Sequence, residues 1–136
     1  MSSVKFTDHS KEVLSAFAKA KKNALTAIGM TAERHAKRDP NMPVDTGRAR
    51  NSITYATKEN EGSGFSYKDD NGKTFSDQRG TGADPSSVYL GSNVEYFPVI
   101  ELGGRNMSAR HVLQAAAANH ADEYKKLAKQ AFENAD

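Results

Sequence analysis

Two stretches of the chain repeat their apolar residues at helical spacing, and between them the pattern shortens to alternation. In residues 8–38, Val13, Leu14, Phe17, Ala24, Leu25, Ile28 and Ala32 fall on one arc at 3.6 periodicity, while Lys11, Lys19, Lys22, Glu33 and Lys37 fall elsewhere. This predicts one long helix. Lys21 lies inside the apolar arc, where its stem can snorkel or its amine can meet a carboxylate across an interface. Thr7, Asp8 or Ser10 can cap the start. Asp39-Pro40 ends the run, because the residue before proline disfavours helical torsions. About 30 residues at 1.5 Å rise make ~45 Å. A compact domain of this size has a radius of gyration of only about 14 Å. Such a helix either bends at Gly29 or leaves the globule and packs on a neighbour, and the second is the favoured reading.

Pro40 to Gly47 carries two further turn formers besides its first proline and reads as a stiff connector. In residues 50–58, Ile53, Tyr55 and Thr57 alternate with small or polar neighbours, which predicts a strand. Residues 59–87 are polar and predict a mobile segment. Within it, Phe65 to Lys68 and Lys73 to Phe75 flank Asp70-Asn71-Gly72, a hairpin signal, and Gln78 to Ser86 reads as loop. Val88 to Gly91 and Tyr96 to Leu102 predict two more strands, with Pro98 placing the second at an edge or bulge. A last helix is expected over 109–134, capped by Ser108. Leu113, Ala116, Ala117, His120, Tyr124, Leu127 and Ala131 share its face. The run Ala115 to Ala118 permits close approach of another element. No internal repeat is present.

Composition changes this picture in one respect. Leu, Ile, Val and Phe together supply 22 of the 136 residues, and 19 more are Ala. That content is low for a self-sufficient core, yet the net charge of +2 is too small to signal disorder. A thin, alanine-rich single domain that gains burial from a partner or from copies of itself fits both facts. Charge is uneven: residues 1–58 carry a net +6, 59–87 a net −3 and 88–136 a net −1. The basic part and the acidic middle can serve complementary faces of neighbouring copies.

Several classes of chemistry fall away. Without cysteine there is no disulfide framework, thiol nucleophile or cysteine-zinc site. No apolar run approaches the ~20 residues that span a bilayer. Met1 to Phe6 lacks the apolar core of a signal peptide, so cytoplasmic synthesis is expected. His9, His35, His111 and His120 form no HExxH or HxxxH pair, so no metal site is expected, and His120 reads as a hydrogen-bonded core histidine. Asp45, Glu95 and Glu101 are isolated carboxylates with nothing to fix their separation, and no catalytic role or cofactor is assigned. Gly80-Thr81-Gly82 lacks the context of a phosphate loop. Lys19, Lys21, Lys22, Arg34, Lys37, Arg38, Arg48 and Arg50 make a DNA-binding protein the main alternative from another class, although few aromatic residues lie among them to stack bases.

The most informative run is Pro43-Val44-Asp45-Thr46-Gly47-Arg48-Ala49-Arg50-Asn51-Ser52-Ile53. Asp45 and Thr46 can accept turn N–H groups. Gly47 can take a positive φ. Arg48 and Arg50 can reach carboxylates, with Glu95 and Glu101 the expected partners, within or between subunits. Downstream come Tyr96, Glu101 and Gly103 at Tyr-x-x-x-x-Glu-x-Gly spacing, then Ala109-Arg110-His111-Val112-Leu113 leading into alanines. In this order, the three motifs resemble the tail-component family of long-tailed phages, whose members are called neck, tail-completion or head–tail joining proteins. Gly104 stands where that family usually has Thr, and residues 59–87 match nothing specific in it.

The resemblance implies an α+β fold, with a small, mainly antiparallel sheet packed between a long N-terminal helix and a C-terminal helix. It implies a structural, non-enzymatic protein of the virion, assembled in the bacterial host cytoplasm. Its copies would form a six-fold ring between the tail tube or terminator and the head connector or stopper, with DNA passing through and no membrane involved. Tail terminator and minor capsid component are alternative roles of the same kind. The residues assigned to assembly are Pro43, Asp45, Thr46, Gly47, Arg48, Arg50, Tyr96, Glu101, Gly103 and Arg110. Leu14, Phe17, Leu25 and Ile28 are expected to supply core burial and to extend it into a subunit contact.

Overall fold

A computed structural model describes residues 10–134. Helix α1 runs without interruption over Ser10–Arg38, about 43 Å at the standard rise. The candidate caps Thr7 and Asp8 lie outside the described residues. The helix does not break at Gly29, and the reason that position is glycine lies elsewhere. A Cβ there would come within 2.5 Å of Tyr55 and 2.9 Å of Val88, so α1 uses the missing side chain to sit directly on the strands.

After the connector, Arg48–Asn51 forms a single helical turn, α2, and only Thr54–Ala56 is strand, β1. The strand expected over 50–58 is therefore shorter, because its first residues close helical bonds: the Asn51 and Ser52 N–H groups donate to the Gly47 and Arg48 carbonyls at 2.9 and 3.0 Å. The hairpin falls where its turn signal lies, with β2 at Gly64–Lys68 and β3 at Thr74–Gln78. Strand β4 covers Tyr89–Gly91. All strand pairing is antiparallel, but it makes two separate two-stranded sheets, β1–β4 and β2–β3.

Tyr96 to Leu102 is not an edge strand, because Phe97–Leu102 forms helix α3. Pro98 sits in its first turn, where a missing N–H leaves no bond unmade. The last helix is two helices, α4 over Val112–Ala118 and α5 over Ala121–Glu133, with the break at Asn119-His120. Ser108 does not cap it; the N-cap of α4 is His111, which takes a left-handed φ of 51°.

The core gathers at the C-terminal end of α1. Ala36, Met42, Ala49, Ile53, Val94, Phe97, Ile100, Val112 and Ala116 form one buried cluster. Along α1 the buried face is made of small residues, Ala20, Ala24, Gly29, Ala32 and Ala36. Leu25 and Ile28 are only half-buried, and Leu14 and Phe17 are exposed by 67% and 57%. The bulky residues expected in the core thus lie outside it, because alanines bring α1 closer to its neighbours than leucines would allow. Helix α5 runs antiparallel along α1: Phe17 meets Phe132 at one end and His35 meets His120 at the other.

Candidate functional site

The Pro43–Ile53 run builds the joint between α1, the hairpin and α3. Gly47 takes φ 81°, and a Cβ there would lie 2.5 Å from the Asp70 carboxyl. The absent side chain therefore serves the turn and also admits the hairpin tip. The tip is held at three points. The Asp70 N–H donates to the Thr46 carbonyl at 2.6 Å. The Arg50 guanidinium pairs with the Asp70 carboxylate. The Asn51 side-chain amide donates to the Lys68 carbonyl at 2.8 Å. Within the run, Thr46 Oγ1 accepts the Arg48 N–H at 3.3 Å. Ser52 is fully buried; its hydroxyl donates to the Ala49 carbonyl at 2.6 Å and meets the Ser92 hydroxyl at the same distance.

Arg48 has a different role from Arg50. Its guanidinium lies over the Phe75 ring, 4.4 Å from the centroid. Phe75 stacks on Tyr67, and Tyr67 on Phe65, at 5.4 and 5.9 Å. Arg79 closes the far end, over Phe65 and Tyr55. A row of three rings on the hairpin's inner face is thus capped by a cation at each end, an arrangement that the ring quadrupole favours. The neighbouring Tyr67 side chain is the main cause that holds the Arg48 pKa above its ordinary value. The Nε atoms of Arg48 and Arg79 are both buried without a hydrogen-bond partner.

The expected pairing of Arg48 and Arg50 with Glu95 or Glu101 does not occur within the chain. Arg50 takes Asp70, and Arg48 takes an aromatic face. Glu101 is committed elsewhere: its two oxygens accept the Leu113 and Gln114 N–H groups at 2.8 and 3.0 Å, capping α4 from α3. The backbone supports the same joint, with the Arg110 and His111 N–H groups donating to the Ile100 and Glu101 carbonyls at 2.8 and 3.2 Å. Gly103 lets the chain reverse there, at φ 86° and with the Ala109 nitrogen 3.0 Å from where a Cβ would stand.

Of the residues singled out in the sequence, Pro43, Asp45, Thr46, Gly47, Arg48 and Tyr96 line one cleft of about 260 Å³, floored by Ala49, Ile100 and Met107. Arg50 turns from it to the hairpin, Glu101 and Gly103 build the α3–α4 joint, and Arg110 is exposed. No family model, curated protein or solved structure matches the chain.

Three surfaces stand out. Val13, Leu14 and Phe17 expose an apolar band near the start of α1, with Phe132 beside it. On the core itself, Tyr96, Val99 and Leu102 follow one another at i, i+3 on the outer side of α3, whose Phe97 and Ile100 are buried beneath; Leu102 is 72% exposed, and Val44 is exposed as well. A third surface is basic: Arg34, Lys37, Arg38 and Arg79 line a cleft of about 650 Å³ with Glu33, Met30 and Tyr55.

One cluster was missed by the sequence reading. His120 is not enclosed in the core; its ring stacks on His35 with centroids 3.5 Å apart, and Glu123 lies against both. His120-x-x-Glu123 spacing, which puts both residues on one helical face, was the available signal. Its partner His35 stands 85 positions away, and only the antiparallel packing of α5 on α1 brings it there.

Proposed function

We propose that this chain is a structural phage protein, a ring-forming tail-completion or neck component that helps join the tail to the DNA-filled head. Two unlike apolar patches carry the reading. A head-to-tail ring needs two different surfaces on each subunit, one offered forward and one backward. The exposed band of α1 and the outer side of α3 meet that need. The core lies around Ala36, and Phe17 is 19 residues before it, about 28 Å along the helix. The first band therefore projects from the core, while the second lies directly on it. Burial of such side chains contributes about 1.5–3 kcal/mol each when complete, which gives a ring its driving force without any catalytic chemistry.

Within this reading the Pro43–Ile53 run sets the angle of α1, α3 and the hairpin, so that both patches are presented rigidly. The test is the content of purified particles. Mass spectrometry and antibody labelling of virions should find the chain in a small fixed copy number at the head-proximal end of the tail. Its absence from purified virions would overturn the proposal.

The basic cleft of Arg34, Lys37, Arg38 and Arg79 favours a second reading, direct DNA binding. Phosphate contacts of that number would give affinity that falls steeply with salt. In the ring reading the same cleft faces passing DNA and binds little of it as free protein.

A further inference from the structure

We propose that His35, His120 and Glu123 form a binding site for one divalent transition-metal ion of the zinc type, fastening the start of α5 to α1. The donors are of the right kind, since two imidazoles and a carboxylate are nitrogen and oxygen ligands that such ions accept with one position left for water. They also converge. One ligand atom from each residue lies within 4.8 Å of the other two. Glu123 Oε2 stands 2.8 Å from His35 Nε2 and 4.0 Å from His120 Nδ1. An ion bound at roughly 2.0–2.2 Å from each donor holds them about 3.3 Å apart in a tetrahedron, which falls between those two separations.

The backbone already positions the set. His120 is the N-cap residue of α5 and Glu123 lies in its first turn, so the two share one face. His35 comes from the last turns of α1. All three side chains are partly exposed, which leaves an entry path. One adjustment is required. The rings lie parallel, 6° apart with centroids separated by 3.5 Å, so their nitrogen lone pairs lie in parallel planes that do not meet at one ion, and binding turns at least one ring about its Cβ–Cγ bond out of the stack. Glu123 then ligates the ion instead of receiving a hydrogen bond from His35.

The site's consequence is mechanical. Among the described residues, α5 has no buried side chain, so its hold on α1 comes from part-exposed contacts spread along its length, from Phe132 against Phe17 at one end to this cluster at the other. An ion here would staple the C-terminal helix to the long helix whose exposed end is proposed to meet a neighbour. The site does not depend on that proposal, because a solitary chain would bind the ion equally well.

The experiment uses the full chain without an affinity tag, titrated with Zn²⁺ by calorimetry and with Co²⁺ by visible absorption. The expected result is one ion per chain, with a tetrahedral Co²⁺ spectrum that Zn²⁺ abolishes. At a hundredfold excess over Kd, the melting temperature should rise by about 10 °C. His120→Ala and the near-isosteric Glu123→Gln should each weaken Zn²⁺ binding at least about tenfold, while His111→Ala leaves it unchanged. Glu123→Gln keeps the side chain's shape, so it reports on ligation even if His120→Ala disturbs folding; circular dichroism of each variant separates the two. Absence of stoichiometric Zn²⁺ binding, or equal binding by wild type and Glu123→Gln, would overturn the site.

Discussion

Replacing Glu101 tests whether this residue belongs to an interface or to the fold. Its carboxylate accepts two N–H groups at the start of α4, which has no side-chain cap of its own. Removing an N-cap acceptor costs about 1 kcal/mol, within a range of 0.5–2. Removing a negative charge from a helix N-terminus adds roughly 0.3–1 kcal/mol. Because the Gln114 side of the contact is exposed to solvent, the low end of the second range applies. Glu101→Ala should therefore destabilise the isolated chain by about 1.3 kcal/mol. For a domain of this size that is roughly a 5 °C drop in Tm. Glu101→Gln retains one acceptor oxygen and should lose about half as much. Thermal denaturation followed by circular dichroism gives the sizes, and hydrogen exchange at the Leu113 and Gln114 amides gives the location. A Glu101→Ala protein that melts with wild type, with both amides equally protected, would refute the capping role and restore an intersubunit role for this carboxylate.

The remaining predictions address the other joints. Gly29→Ala, which in an ordinary helix would stabilise, should here destabilise by about 1–3 kcal/mol, because the new methyl meets the Tyr55 ring and Val88; urea denaturation reads the sign. A double-mutant cycle on Arg50 and Asp70 should give a coupling of about 0.2–1 kcal/mol that shrinks with salt, as expected of a pair so open to solvent. The Glu61 carboxylate is held below its ordinary pKa, first by Lys58 and then by the Ala83 N–H at 2.9 Å. Its stabilisation is therefore complete above the unfolded-state value and is lost as pH falls through the lowered folded value. The protection factor of the Ala83 amide, which is its exchange rate corrected for the intrinsic slowing of exchange in acid, should fall over that acid range, and Glu61→Gln should lower it at neutral pH too.

Much of the architecture was legible because strong local signals coincide with tertiary ones. Helix α1 combines apolar periodicity with a proline stop, and the β2–β3 hairpin has Asp70-Asn71-Gly72 at its turn. Tyr96 to Leu102 is rich in β-formers and reads as a strand, yet Phe97 and Ile100 are the buried pair, spaced for a helix, and Pro98 suits a first turn. The break at Asn119-His120 has neither glycine nor proline to mark it, and arises because α4 packs into the core while α5 follows α1. The partners of Arg48 and Arg50 were invisible for another reason. Sequence shows that a cation needs a partner, but Phe75 and Asp70 become available only when the hairpin folds back onto Gly47. The inverted burial of α1, alanines inside and Leu14 and Phe17 outside, was open to reading in principle: both sets lie at helical spacing, and only the close approach to Tyr55 and Val88 decides between them.

Head-to-tail closure through two unlike apolar patches is tested most directly by complementation. One variant, Leu14→Lys with Phe17→Lys, removes the α1 band; the other, Val99→Lys with Leu102→Lys, removes the α3 patch. Light scattering of wild-type chain should show masses that climb in multiples of 14.8 kDa with concentration. Each variant alone should remain a single chain, and an equal mixture should form a one-to-one pair and stop there, since only one working interface remains between them. A wild-type mass of 14.8 kDa at every concentration, or a mixture that never pairs, would contradict it.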